Sequence, residues 1–308
     1  MSAANNATYP STTSPAIDSG QLTLALRVIT TVATVVALGA VIYYLLLGIN
    51  YRNRTFPGFM MSYTLVVDGN ASLGATTPWA AQDAGLSRLD RIISVNGTQL
   101  ATDNYAEARN AFWEAFDTVS YGDTVEVGFV RAADAANASS ELCDAESTAN
   151  GFVPCTVTYT TSPLPNSDYF TYFAFPIGSA AIALLVGLTL LYYRPNHTTS
   201  LLVTLFCMGL AVFSGGVFNN GTTHMVMPIW LIYTGVGGGV ALTLALVFPS
   251  RPLLTYRQPV ILAIPIVIGI VLTIIDLYLW ANLTTPYDFT LVWQLPVGLA
   301  FVSFFVLF

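Results

Sequence analysis

Long apolar runs constrain this chain more than any other feature. Residues 24–47, 169–193, 201–218, 228–248 and 260–280 consist almost wholly of aliphatic, aromatic and small side chains, and a sixth run begins near residue 291 and is still apolar at Phe308. About 20 predominantly apolar residues let a helix cross the hydrocarbon core of a bilayer, because the helix satisfies its own backbone polar groups. The pattern predicts an α-helical polytopic membrane protein with about six transmembrane helices. With 54% hydrophobic and 9% charged residues, the composition lies far from that of an ordinary soluble domain. Because the last run reaches the final residue, the chain is expected to be truncated, or the ordered part of something longer.

The runs divide the chain into a flexible tail (1–21), a first transmembrane helix (22–50), a soluble domain (56–163) carrying an insertion (132–152), and a bundle of about five helices (168–308). The tail is rich in Ser, Thr, Ala, Asn and Pro and has no arginine, so it lacks the charged start of a secretory signal. The segment after it reads as a retained anchor. A cleaved signal is the alternative, although residues 24–47 exceed an h-region of roughly 7 to 15 residues.

The basic residues are ten arginines and no lysine, which fits a GC-rich bacterial source. With a cytoplasmic N-terminus, the loops holding Arg194 and the pair Arg251 and Arg257 fall inside, and residues 219–227 and 281–290, which carry no arginine, fall outside, as the positive-inside rule requires. Arg52 and Arg54 point the other way. The expected location is the bacterial cytoplasmic membrane, with the soluble domain outside. That domain holds most of the acids, among them Asp83, Asp90, Glu107, Asp117, Asp123, Glu126 and Asp144, a surface that repels nucleic acid.

Within it, Ala84-Gly85-Leu86 leads into Leu89-Asp90-Arg91-Ile92-Ile93-Ser94-Val95-Asn96-Gly97. Ile92, Ile93 and Val95 read as a strand, and Asn96-Gly97 supplies the two positive-φ residues of a tight hairpin turn. Asn104 followed by Glu107 marks a helix start, and Tyr105, Ala108, Phe112 and Phe116 recur at helical spacing, with Phe112 and Phe116 expected in the core. The alternating strand Val125, Val127, Phe129 is expected to pair with Val153, Cys155, Val157, Tyr159. Cys143 and Cys155 share an external, oxidising setting, so they read as a disulfide, with two unrelated thiols as the alternative. Asp90 and Arg91 are expected to set turn geometry and surface charge.

The sequence Ala-Gly-Leu, a spacer, Asp-Arg-Ile and Val-Asn-Gly resembles the hallmark of bacterial PDZ domains, carried here by Gly85, Leu86, Asp90, Arg91, Ile92, Asn96 and Gly97. The resemblance covers about residues 56–162. It implies an extracytoplasmic α+β PDZ-like domain inserted between helices 1 and 2, binding peptides by strand addition. Pro57, Gly58, Phe59, Met60 and Met61 resemble the peptide-binding loop and edge strand; a plain linker strand leaving the first span is the alternative reading. Leu89 stands where the family usually has glycine.

The spans contain few polar groups. Asp276 is the one acid well within a run, placed near the outer end of its helix where it is expected to reach the interface. His197 and His224 sit at loop edges, so no buried imidazole is expected to ligate a haem or chlorophyll metal. No His-Glu-x-x-His zinc motif and no Gly-x-x-x-x-Gly-Lys loop occurs. Ser214-Gly215-Gly216 lacks the glycine a rhomboid nucleophile requires at Val212. These glycines, with Gly235 and Gly237 to Gly239, read as small residues for close helix packing. No catalytic residue, cofactor or metal is expected.

An anchor, an external PDZ-like domain and a helical bundle resemble the input region of membrane sensor kinases of the competence-pheromone receptor type. The resemblance implies a receptor module that binds a peptide or protein terminus and relays it across the membrane, with no kinase transmitter within these residues. The alternative is a non-catalytic accessory or scaffolding subunit whose domain docks a neighbour. Membrane lipid and a homodimer or larger membrane complex are the other expected partners. Transport is the weakest reading, because no pair of interrupted half-helices with charged partners occurs.

Overall fold

The computed structural model describes residues 19–69, 78–101, 103–133, 141–144, 151–247, 262–283, 285–288, 294, 297 and 298. The N-terminal tail, most of the insertion, the loop with Arg251 and Arg257, and most of the sixth apolar run lie outside the described residues.

Helix α1 (Ser19–Tyr51) spans 33 residues and leads into a small α+β domain. The domain begins with β1 (Met60–Met61) and β2 (Val67–Gly69), which pair antiparallel. A short α2 (Ala80–Asp83) precedes β3 (Arg91–Val95) and β4 (Thr98–Gln99), then α3 (Tyr105–Asp117), β5 (Thr124–Ala132) and β6 (Phe152–Thr160). The last four strands form an antiparallel sheet in the order β4-β3-β5-β6. Asn96 and Gly97 both take positive φ, at 46° and 79°, and close the β3–β4 hairpin as the dipeptide requires. Asn104 caps α3 by accepting from the Glu107 amide, which satisfies one of the orphan donors of its first turn. The two alternating strands pair in the register that superimposes their apolar faces: Val125 opposite Tyr159, Val127 opposite Val157, and Phe129 opposite Cys155. Each of these side chains is buried, together with Phe112 and Phe116 of α3.

The chain leaves the domain through α4 (Asn166–Tyr169), passes a π-helical turn at Phe170–Ala174 and enters α5 (Phe175–Tyr193). Helices α6 (Thr198–Gly215), the short α7 (Val217–Asn220), α8 (Met227–Val247) and α9 (Ile264–Ala281) follow. Among the described residues, five helices are long and apolar enough to cross a membrane: Thr23–Tyr51, Asn166–Tyr193, Thr198–Gly215, Met227–Leu246 and Ile264–Ala281. Their outward faces remain apolar, with Leu24, Val28, Val32, Phe175, Ile182 and Ile274 exposed, as side chains facing lipid are. Small residues let the bundle close: the Cα of Gly237 lies 3.2 Å from where a Cβ on Gly209 would stand, so α6 and α8 cross backbone to backbone.

The ends of the bundle are distinct. Arg27 of α1 donates to the Asn196 side chain in the α5–α6 loop at one end. At the other, the α7 region and the loop after α9 both touch the α+β domain. Phe152 stacks on Tyr287 at 5.7 Å, and the Thr64 hydroxyl donates to the Pro286 carbonyl at 2.6 Å. The core of the domain runs without a break into the helices, because Tyr51, Phe173 and Phe218 belong to the same buried cluster as Phe59, Phe112 and Phe129.

Three expectations are corrected. Asp276 does not turn outward at the end of its helix; it is fully buried on the face of α9 that carries Pro265, Gly269 and Thr273. His224 is buried too, at 1% exposure, because its loop is covered by the α+β domain. Asp90 contributes no surface charge, since it is 2% exposed and ion-paired with Arg131.

Candidate functional site

Pro57 to Met61 enter the domain beneath α2 and beside α3. Gly58 takes φ +80°, and a Cβ there would stand 3.0 Å from the Ala81 backbone nitrogen, so the position favours glycine on both counts. The Tyr159 hydroxyl donates to the Pro57 carbonyl, and burial pushes that phenol far above its ordinary range. Phe59 packs edge-on to Phe112 with ring centroids 6.0 Å apart. Met60 and Met61 are buried against the α7–α8 loop, where the Met61 amide donates to the Gly221 carbonyl at 3.2 Å. All five residues are therefore covered, and one edge amide of β1 is already engaged by the helical bundle.

The motif residues lie around the adjacent turn. Leu86 and Ile92 enter the core, and Gly85 takes φ +109°. Asp90 accepts from the Ser87 amide at 2.6 Å, fixing the turn, and from Arg131 through both oxygens. The bond from Asp90 holds the Arg131 guanidinium above its usual pKa, and Arg131 also donates to the Gly85 carbonyl. Arg91 points the other way, 5.6 Å above the Tyr105 ring. Asn96 accepts from the Glu126 amide, tying the hairpin to β5. Cys143 and Cys155 are joined by a disulfide.

Beyond the strand edge, polar groups are concentrated in the seam between domain and bundle. The Arg109 guanidinium stands 4.9 Å over the Tyr63 ring, which lies 6.2 Å from His224 and 5.5 Å from Trp280. Burial lowers the Arg109 pKa, and burial followed by the Arg109 charge pulls His224 from 6.5 down to about 3, leaving a neutral imidazole. Its Nδ1 lies 3.2 Å from the Thr222 carbonyl. On the opposite flank, the Trp79 indole donates to the buried Asp168 carboxylate at 2.8 Å, fastening α2 to the start of α4. Arg54 completes the α1 junction, pairing with both oxygens of Asp117 and lying 4.4 Å over Trp113.

Sequence reasoning passed over Arg131, Asp168, Tyr63, Arg109 and the Gly221 loop. For Arg131 a signal existed: it continues the alternation of Val125, Val127 and Phe129, so it points into the core and needs an acid there. The seam carried no such signal, since it depends on contacts between segments far apart in the sequence, as in Met61 to Gly221.

The fold and site define a polytopic, membrane-type helical protein with a small α+β domain seated on its bundle. No family model, curated protein or solved structure matches the chain.

Proposed function

We propose that this chain is the input module of a bacterial membrane receptor, binding a peptide or protein terminus at a PDZ-like external domain and relaying occupancy to the spans. The observation that carries the reading is the hydrogen bond from Met61 to Gly221, which joins the strand edge to the loop between α6 and α8. A peptide adding to β1 competes with Gly221 for that amide. Its binding therefore favours an arrangement in which the loop, and the spans on either side of it, have moved. The domain faces outward in this reading, because Arg27 and Arg194 lie at the end of the bundle away from it.

The alternative, an accessory or scaffolding subunit, draws on the burial of Pro57 to Met61, which suits a domain permanently docked on its own bundle. One experiment separates the two. A Cβ at Gly221 would stand 3.6 Å from that of Met60, within the range a disulfide spans, so Met60→Cys with Gly221→Cys gives a lockable seam. The full chain in lipid nanodiscs is titrated with peptide libraries bearing free or amidated carboxyl termini. Capture by the reduced protein, lost on oxidation and restored by reductant, supports the receptor reading. Absence of capture in wild type and in both states of the variant assigns the chain to the accessory class.

A further inference from the structure

Asp276 is buried where α9 packs against α8, and among the described residues neither carboxylate oxygen has a hydrogen-bond partner. The two helices lie very close there: a Cβ on Gly235 would meet the Thr273 hydroxyl at 2.2 Å, and one on Gly239 would meet the Pro265 carbonyl at 2.4 Å. Asp276 follows Thr273 on the same face, toward the domain, opposite the part of α8 that contributes the buried Met227 and Leu231. One turn further on, the Trp280 indole nitrogen is likewise buried without a partner. A donor and an acceptor on one helix face are thus both unused.

Among the described residues, the surroundings supply no countercharge. On α8 the one titratable side chain is Tyr233, whose hydroxyl is committed to the Ala33 carbonyl of α1. The Thr273 hydroxyl is committed to Gly269. On α9 itself Tyr278 faces outward, and in the seam beyond Trp280 stand Tyr63, Arg109 over its ring, and the neutral His224. An ionised carboxylate held among apolar side chains without partners costs several kcal/mol, a cost that protonation removes. Acids in spans that face the bundle interior mark proton and ion pathways.

We propose that Asp276 is a proton-binding site, protonated in this arrangement, which gives up its proton to water on the domain side when the seam of Tyr63 and Trp280 opens. Among the described residues, no group of His, Cys, Asp and Glu side chains suited to a metal ion includes it. It stands independently of what the external domain binds.

The test is infrared difference spectroscopy on the full chain in nanodiscs, stepped from neutral to alkaline pH, with wild type, Asp276→Asn and an isotopically labelled aspartate sample. At neutral pH, wild type is expected to show the carbonyl stretch of a protonated carboxyl, shifted by the aspartate label and missing from Asp276→Asn. The band should fade on alkalinisation together with a change in Trp fluorescence that Trp280→Phe abolishes. Asp276→Asn, which has the shape of the protonated acid, should fold as wild type and lose that change. A neutral-pH spectrum without the band overturns the proposal, as does a band retained in Asp276→Asn. Where that variant does not fold, Asp276→Glu in the aspartate-labelled protein decides: a band that loses its label shift belongs to Asp276, and one that keeps it belongs to another aspartate and overturns the proposal. Sodium-dependent Trp280 fluorescence without the band would assign the site to a bound cation instead.

Discussion

Arg131 spans both carboxylate oxygens of Asp90, with Nε 2.8 Å from Oδ1 and Nη2 2.6 Å from Oδ2, and both side chains are buried. The pair joins the turn before β3 to the far end of β5 within the α+β domain. Removing one partner leaves the other charged and buried, so Asp90→Ala or Arg131→Ala should each destabilise the domain by about 3 to 5 kcal/mol. Replacing both, as in Asp90→Leu with Arg131→Met, should recover most of that loss. Chemical denaturation of the four proteins, followed by tryptophan fluorescence, measures the two losses and the recovery.

His224 gives the seam a pH dependence whose sign is fixed. Its folded pKa, about 3, lies below the ordinary 6.5, so the unfolded chain binds the extra proton between those values. The stabilisation is complete above pH 6.5 and is lost as the pH falls toward 3, at up to about 1.4 kcal/mol per pH unit. Charging the imidazole also sets it against Arg109. Stability of wild type and His224→Gln measured across this range should diverge: the wild type falls with acid, and the variant, less stable at neutral pH, shows a shallower slope.

How much was legible before the structure depended on how local the determinants were. The β3–β4 hairpin, the α3 stripe and the β5–β6 pairing followed from side-chain periodicity and an Asn-Gly dipeptide, which act over a few residues. Arg131 was legible in direction but not in partner, since alternation gives a face and says nothing of what lies across it. Leu89 illustrates a rule overridden: it adopts φ +74°, the conformation that favours glycine, while its amide donates to the Val67 carbonyl and its side chain stays largely exposed. The seam was illegible because Tyr63, Arg109, His224 and Trp280 come from four separate segments. Asp276 was visible as an acid in a span, but its burial is set by the facing of α8 and α9.

The disulfide closes a loop with a sequence separation of 12 on the partly described insertion, and it joins that insertion to β6. Constraining the unfolded chain over a loop of this size contributes about 3 kcal/mol in the chain-entropy account. Cys143→Ser with Cys155→Ser should therefore lower the denaturation midpoint while leaving the β5–β6 ladder in place. Hydrogen exchange should still protect the amides of β5. Alkylation without reductant should label Cys207 alone, and only after unfolding, because that thiol is buried in α6.

Phe218 provides the sharpest test of whether domain and bundle form one unit. Its ring lies edge-on to Tyr51 at 5.0 Å and within 5.7 Å of Phe173, so three rings, from α7, the end of α1 and the π-helical turn, meet under the domain. The side chain is 2% exposed, and removing a ring from such a site costs about 3 to 5 kcal/mol in lost transfer energy and cavity. The loss falls where the two parts join, and neither the sheet nor the helix crossings lose a contact of their own. Phe218→Ala should therefore split a single cooperative unfolding transition into two, with the domain melting before the helices, whereas Phe129→Ala, deep in the domain, should lower the domain's stability without exposing the helix junction. Scanning calorimetry of the two variants, with proteolysis between residues 52 and 56 as the local probe, distinguishes these outcomes. A single undivided transition in Phe218→Ala would mean that the hydrogen bonds from Met61 to Gly221 and from Trp79 to Asp168 suffice to couple the parts without the aromatic junction.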